Sequence, residues 1–282
     1  MINSIKIIIN NPLVFLSSII LSILLILAIF PSQIAPMDPQ KANYDALRSP
    51  PTKEHIMGTD YAGRDIASRV IYGVRTTLII AFSAVALSKT IGFAWGLTSG
   101  YFGGWFDLVT QRIIEMMLSV PSLILALLLL ASLGSGKFTV IIAIGVGGIA
   151  GTVRIIRSSV LSVKNMGYVE AAKAMGVHPI IIIIRHIAPQ CFAPLLIVAS
   201  ASLGGAIFAE AALSFLGLGI TPNEPTWGSM MSVVAENYLR PLWWIAVFPG
   251  IALTLTIMSF NLIGDELRDR LDPKLKGEIK NK

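Results

Sequence analysis

Six stretches of about 20 apolar residues, at about 12–31, 77–99, 113–133, 138–156, 192–219 and 242–263, constrain this chain more than any other feature. Each is long enough to cross a hydrocarbon layer of roughly 30 Å as a helix. A segment in lipid must satisfy its own backbone N–H and C=O groups, which leaves helices or closed barrels. None of the six alternates in polarity as a barrel strand does, so each reads as a helix. Charged residues make up 13% of the chain and the mean hydropathy is +0.74, whereas a soluble domain carries about 25% charged residues. The expected fold is all-α and membrane-embedded, with six transmembrane helices and lipid as the first partner.

The first stretch is too long for the core of a secretory leader, and Pro31-Ser32-Gln33 makes a poor cleavage site. It is therefore read as a true span. With six spans both termini fall on one side. Placing that side in the cytoplasm puts thirteen Lys and Arg inside and eight outside, in line with the positive-inside bias. The outer loop after the first span is basic (Lys41, Arg48, Lys53, Arg64, Arg69, Arg75), but long loops translocate with little regard to charge. The net charge of +6 thus follows topology, and no nucleic-acid partner is expected.

A polar interruption between the fourth and fifth stretches, about 160–190, falls on the cytoplasmic side. Within it Gly167 to Met175 (GYVEAAKAM) has helical propensity, and Glu170 and Lys173 stand at i, i+3, where they can pair. Ala171 and Ala172 carry little bulk, so another protein's surface can come close. Gly176 suits the left-handed conformation that ends a helix, and Pro179 suits the first turn of the next. Pro189 and Pro194 are expected to break that second helix where it meets the fifth span. The β-branched run Ile180 to Ile184 reads as a buried or interfacial helix despite its strand propensity. A short helix, a sharp turn and a second helix would transmit force as a unit.

Several other residues ask for a role. Gly92, Gly96 and Gly100 line one helical face, either for packing within the subunit or for a face shared with a partner. Gly145, Gly147, Gly148 and Gly151 invite the same reading, or a flexible point. Lys89 and Glu210 are ionisable groups at membrane depth and are candidates for a pathway; they can also snorkel, pair with each other, or face a water-filled cavity. Glu210→Gln is expected to impair transport if the charge serves the pathway, and normal uptake at normal expression would exclude that. Asp65 can cap an amphipathic helix over 66–75 lying along the outer surface, with Ile66, Ala67, Val70, Ile71 and Val74 on one face.

Chemistry of other kinds finds no foothold. Gly134-Ser135-Gly136-Lys137 imitates the end of a phosphate-binding loop, yet Ala131 stands where glycine is needed and Phe138 where Ser or Thr is needed. His55, His178 and His186 have no metal-ligand spacing, and the single cysteine, Cys191, has no catalytic companion. No enzyme activity, metal or bound cofactor is expected of this chain.

The arrangement of motifs resembles the C-type permease subunits of dipeptide, oligopeptide and nickel ABC importers over nearly the whole chain. The matching blocks are His55-Ile56-Met57-Gly58-Thr59-Asp60 with Gly63-Arg64-Asp65, Ser68-Arg69, Gly73 and Arg75; Gly100 to Gly104 with Asp107, Arg112 and Pro121; Glu170-Ala171-Ala172 and Gly176; Glu210 and Leu213 to Gly219, then Trp227-Gly228; and Phe248-Pro249-Gly250, Phe260-Asn261-Leu262, Gly264-Asp265, Leu267-Arg268-Asp269 and Leu271-Asp272-Pro273. His186, Ala188 and His178 depart from the general permease motif, His178 standing where a serine cap is common. The resemblance implies the fold of a type I importer permease in a bacterial inner membrane. It implies a homologous second permease, two ATPase subunits holding ATP and Mg, and a substrate-binding protein outside; the 66–75 helix reads first as an interfacial anchor, with help in receiving that protein as the alternative. It implies that Glu170, Ala171, Ala172, Ala174, Gly176, Val177 and His178 couple to the ATPases. The cargo would be a peptide, with nickel or another chelate as the alternative. An ion-coupled secondary transporter would show inverted repeats, and the halves show none. The expected division is 1–75 for the first helix and outer loop, 76–264 for a five-helix core, and 265–282 for a cytoplasmic tail.

Overall fold

The computed structural model describes residues 11–220, 224–236 and 242–271. Lys6, Arg240, Pro273 and the tail lysines lie outside them. The described residues are helical with no strand beyond one isolated bridge, Thr59 with Asp65. Helix α1 (Pro12–Ile29) opens with the Asn11 side chain accepting from Leu13 N–H and with Pro12 in the first turn. A single turn, α2 (Pro31–Ile34), leads into a turn-rich loop that ends at α3 (Ile66–Phe102). Then come α4 (Gly104–Ser119), α5 (Ser122–Leu133), α6 (Lys137–Val163), α7 (Gly167–Ala174), α8 (Pro179–Ile182), α9 (Ala188–Phe215), α10 (Trp227–Glu236) and α11 (Trp243–Leu271).

Five of the six expected spans are continuous helices, four of them longer than the hydropathy alone indicated. The third is not. The stretch read as 113–133 is divided between α4 and α5, which meet at 88°. Pro121 supplies no N–H and disfavours helical geometry in the residue before it, and Val120 is extended, at φ −97° and ψ 127°. The described residues thus hold five helices able to cross a membrane, or six if the bent pair counts as one span.

The surface helix expected over 66–75 is also corrected. Asp65 does cap it, accepting from Ser68 N–H at 2.8 Å, but the helix runs on to Phe102, about 55 Å at 1.5 Å per residue. No proline interrupts 66–102. The face carrying Ile66 and Val70 is buried against Met230, Trp244 and Ile245. Gly73 meets the ring of Trp227, whose indole N–H donates to Val70 O at 3.2 Å. The boundary drawn at 75/76 therefore falls inside α3.

The expected break at Pro189 and Pro194 is absent as well. Residues 179–215 form one helical run, with a π turn at Ile183–Ile187 between α8 and α9. Ala188 N–H reaches back five residues to Ile183 O, so the ladder has already widened where Pro189 brings no donor. Pro194 sits inside α9.

The interhelical contact that organises the bundle is α3 on α6. Gly92 faces Thr152, Gly96 faces Ile156 and Gly100 faces Val160, so the three glycines pack within the subunit. A Cβ on Gly96 would lie 2.8 Å from Ile156 Cβ and 3.0 Å from Val153 O. Gly145 and Gly148 of α6 return the fit against Leu87 and Ser88, whereas Gly151 faces open space. Helix α1 lies outside this frame, its Leu24 joining Leu78, Val85 and Ile207 while most of its side chains are exposed. Overpacking of a tight contact costs about 1–3 kcal/mol. Gly96→Val should therefore lower the thermal unfolding temperature of the detergent-solubilised protein, while Gly151→Ala should leave it unchanged or slightly raised. Equal effects would contradict the geometry.

Candidate functional site

The Glu-Ala-Ala segment folds as the spacing predicts, into a helical hairpin at one end of the bundle. Helix α7 closes with Gly176 at φ +74°. Val177 N–H donates to Ala172 O at 3.1 Å and Gly176 N–H to Lys173 O at 3.0 Å, the paired bonds of a Schellman cap. A residue other than glycine in that left-handed conformation would cost about 1–2 kcal/mol. His178 then caps α8, its Nδ1 accepting from Ile180 N–H at a long 3.4 Å, and Pro179 fills the first helical position. The imidazole does the work of the absent serine, weakly.

The hairpin has two sides. Val169, Ala172, Ile182, Ile183 and Ile187 are buried with Leu97, Ile156, Val160 and Cys191, which ties it to α3, α6 and α9. Glu170, Ala171, Ala174, Gly176 and His178 are exposed, and Val177 packs partly on the buried cluster. Met175, Ile180 and Ile184 add large exposed apolar surface beside them. The expected Glu170–Lys173 pair does not form. Lys173 Nζ turns instead to Lys164 O at 3.4 Å and lies 5.6 Å from the centre of the Tyr101 ring. Lys164 Nζ donates to Gly100 O at 2.9 Å. Glu170 is left facing outward.

Lys89 and Glu210 do not pair. Glu210 is fully buried, and its carboxylate accepts from Ser214 Oγ at 2.8 Å, Thr77 Oγ1 at 3.2 Å and the Thr226 hydroxyl. This three-hydroxyl knot joins α9, α3 and the start of α10. Lys89 Nζ donates to Thr152 Oγ1 at 3.0 Å and lines a cavity of about 260 Å³ between α3, α5, α6 and α9, to which Glu210 does not contribute.

One contact escaped the sequence reading. Asp107 at the start of α4 grips Arg157 of α6 with both carboxylate oxygens, at 2.6 and 2.5 Å, and accepts from Ser99 Oγ of α3. The opposite charges stood in the sequence 50 residues apart, with no local spacing to join them. At the far end of the bundle a second polar cluster holds the loop on α3. His55 Nδ1 lies 3.0 Å from Asp65 Oδ1, and Asp60 accepts from Arg64 Nε at 2.8 Å. Trp244 Nε1 donates to Thr59 O at 3.0 Å. Among the described residues no group of three or more His, Cys, Asp or Glu could hold a metal ion.

A family model described as "Binding-protein-dependent transport system inner membrane component" matches residues 92–277, a range that begins on the glycine face of α3 and contains the hairpin. The chain belongs to this family. The family's relatives make it an integral membrane permease subunit of a bacterial ABC importer. It is 38% identical to the dipeptide transport system permease protein DppC of Alkalihalophilus pseudofirmus, over 95% of this chain and 88% of that one. It is 38% identical to the probable D,D-dipeptide transport system permease protein DdpC of Escherichia coli K12, over 95% and 90%. It is also 38% identical to the glutathione transport system permease protein GsiD of Escherichia coli O1:K1, over 90% and 84%. Among solved structures, the inward-facing MetNI methionine ABC transporter shares the fold with a TM-score of 0.58 at 18% identity, covering 72% of this chain and 96% of that one.

Removing the Glu210 carboxylate strands three buried hydroxyls, each losing an acceptor whose absence costs about 1–3 kcal/mol. Glu210→Ala is expected to destabilise the solubilised subunit by about 3 kcal/mol in total. Glu210→Gln, which keeps one acceptor oxygen, should cost less than half of that. Thermal unfolding of the two variants checks the order, and equal losses would exclude the hydroxyl knot as the cause.

Proposed function

We propose that this chain forms half of the translocation pathway of an ATP-driven importer for di- or oligopeptides. In this reading it pairs with a homologous permease, receives cargo from a binding protein outside, and rests on two ATPase subunits that hold ATP and Mg. The chain itself binds no nucleotide and catalyses no reaction. The peptide assignment rests on relatives whose names specify dipeptide, D,D-dipeptide and glutathione transport.

The observation that carries the coupling role is the two-sided hairpin. Its outward side presents the Glu170 carboxylate next to Ala171, Ala174 and Gly176, which carry almost no side-chain bulk, beside the apolar Met175 and Ile180. Its inward side is packed into α3, α6 and α9. A partner pressing on α7 would therefore move three membrane helices together, because close-packed interiors transmit displacement instead of absorbing it. ATP-driven closure of the ATPases would push the hairpins and turn the cavity outward, and hydrolysis would reset it. This orientation places the hairpin and both termini in the cytoplasm, and the 35–65 loop on the outer face of the inner membrane.

Two variants test the coupling. Ala171→Arg should abolish co-purification of the ATPase subunits, or reduce ATP-dependent peptide uptake by tenfold or more (~1.4 kcal/mol of lost contact gives tenfold), with subunit expression unchanged. Ala174→Cys should cross-link to an ATPase subunit with a short thiol-reactive linker. The native Cys191 is fully buried and leaves little background. Full uptake by Ala171→Arg, with no cross-link from Ala174→Cys, would move the coupling surface elsewhere.

A further inference from the structure

Lys89 is an ammonium group 7% exposed, placed at membrane depth with no carboxylate beside it among the described residues. Its hydrogen bond goes to Thr152 Oγ1, and Thr152 hands its own proton to Gly148 O at 2.9 Å. An ammonium has three donors, so two remain for whatever enters the adjoining cavity. A buried cation without a counter-charge is costly, and at membrane depth such groups mark pathways.

The rest of the lining says what kind of anion fits. Ser88 and Ser202 have committed their protons to Val85 O and Val198 O of their own helices, so towards the cavity they offer only lone pairs. Ser122 at the start of α5 adds a third hydroxyl, and the remaining wall is made of small or aliphatic residues, including Ala126, Ala206 and Gly147. One cation and one serine hydroxyl able to donate, flanked by the acceptor oxygens of Ser88 and Ser202, suit a carboxylate whose neighbouring atom is an amide N–H, which is the C-terminal residue of a peptide. At about 260 Å³ the space falls below the roughly 300–1,000 Å³ of sites that enclose a whole small molecule. It takes one end of a peptide and leaves the remainder towards the opening. The alanine and glycine wall imposes little preference on the last side chain.

We infer that Lys89, with Ser88 and Ser202, forms a carboxylate-recognition site for the C-terminus of the transported peptide within this subunit. The inference rests on the peptide-importer reading. Because Lys89 also bridges α3 to α6, the test must separate recognition from support. The complete importer, with its binding protein, is reconstituted in proteoliposomes carrying wild type, Lys89→Met or Lys89→Arg. Uptake of one tripeptide is measured as the free acid and as the C-terminal amide. The binding protein is common to all, so its own preference cancels when variant is compared with wild type.

Lys89→Met should lower free-acid uptake about tenfold or more, the scale of a lost hydrogen bond to a charged group, while amide uptake falls less than about threefold. Lys89→Arg should restore most of the free-acid rate. Equal losses on acid and amide would overturn the site and make Lys89 a structural cation, neutralised by the second permease or by lipid. A loss that follows the anionic-lipid content of the vesicles, and not the peptide terminus, would overturn it equally, as would no loss at all. If Lys89→Met fails to assemble with its partners, Lys89→Gln is read by the same criteria, and failure of both to assemble assigns Lys89 to support alone. Absence of uptake of either peptide by the wild-type importer would instead remove the peptide reading on which the site rests.

Discussion

Gly92, Gly96 and Gly100 bring the backbone of α3 against Thr152, Ile156 and Val160 of α6, and the remaining helices are placed by reference to that pair. Lipid offers little hydrophobic incentive for helices to associate, so close approach through small residues and dispersion must hold them. A β-branched side chain opposite each glycine gives a rigid filler with few rotamers to lose. The contact covers three successive turns. It sets both the separation and the register of the two helices, and hence the position of everything attached to their ends.

At one end that frame continues into the Glu-Ala-Ala hairpin without a joint. Ile156 and Val160 are shared between the glycine contact and the cluster that buries Ala172, Ile182 and Ile187. Lys164 and the Asp107–Arg157 pair fasten the same end through polar contacts. At the other end Glu210 draws Thr77, Ser214 and Thr226 together. Trp227 and Trp244 donate to the backbone of α3 and of the loop before it. Between these two fixed ends lies the small-residue cavity with Lys89 on its wall. Under the function proposed above, this division would give stiff ends to receive force and a weakly obstructed middle to pass cargo.

Hydropathy located five of the six spans as continuous helices, and glycine with proline located the hairpin turn, because both depend on local chemistry alone. The consequences of proline were less legible. Pro121 separates two helices at 88°, whereas Pro189 and Pro194 sit in a continuous helical run. The residue type is the same; what differs is whether the preceding backbone stays helical. Val120 is extended, while a π turn ahead of Pro189 absorbs the missing donor. The Asp65 cap was readable, but the amphipathic face after it took Trp227 and Trp244 as its cover in place of a membrane surface. Likewise Lys173 stood in helical register with Glu170, yet Tyr101 and Lys164 O were nearer partners in space.

By itself the sequence determined that the chain spans a membrane as helices, that a Glu-Ala-Ala hairpin interrupts them, and which family carries that pattern. These properties follow from segment length, polarity and single-residue backbone preferences, none of which needs a distant neighbour. The tertiary structure alone decided that the glycine face is internal, that Lys89 and Glu210 serve separate places, and that Asp107 holds Arg157. Each of those depends on which helices meet. Pairing of charges and filling of glycine grooves act over a few ångströms in space, across separations of 50 to 133 residues in the chain.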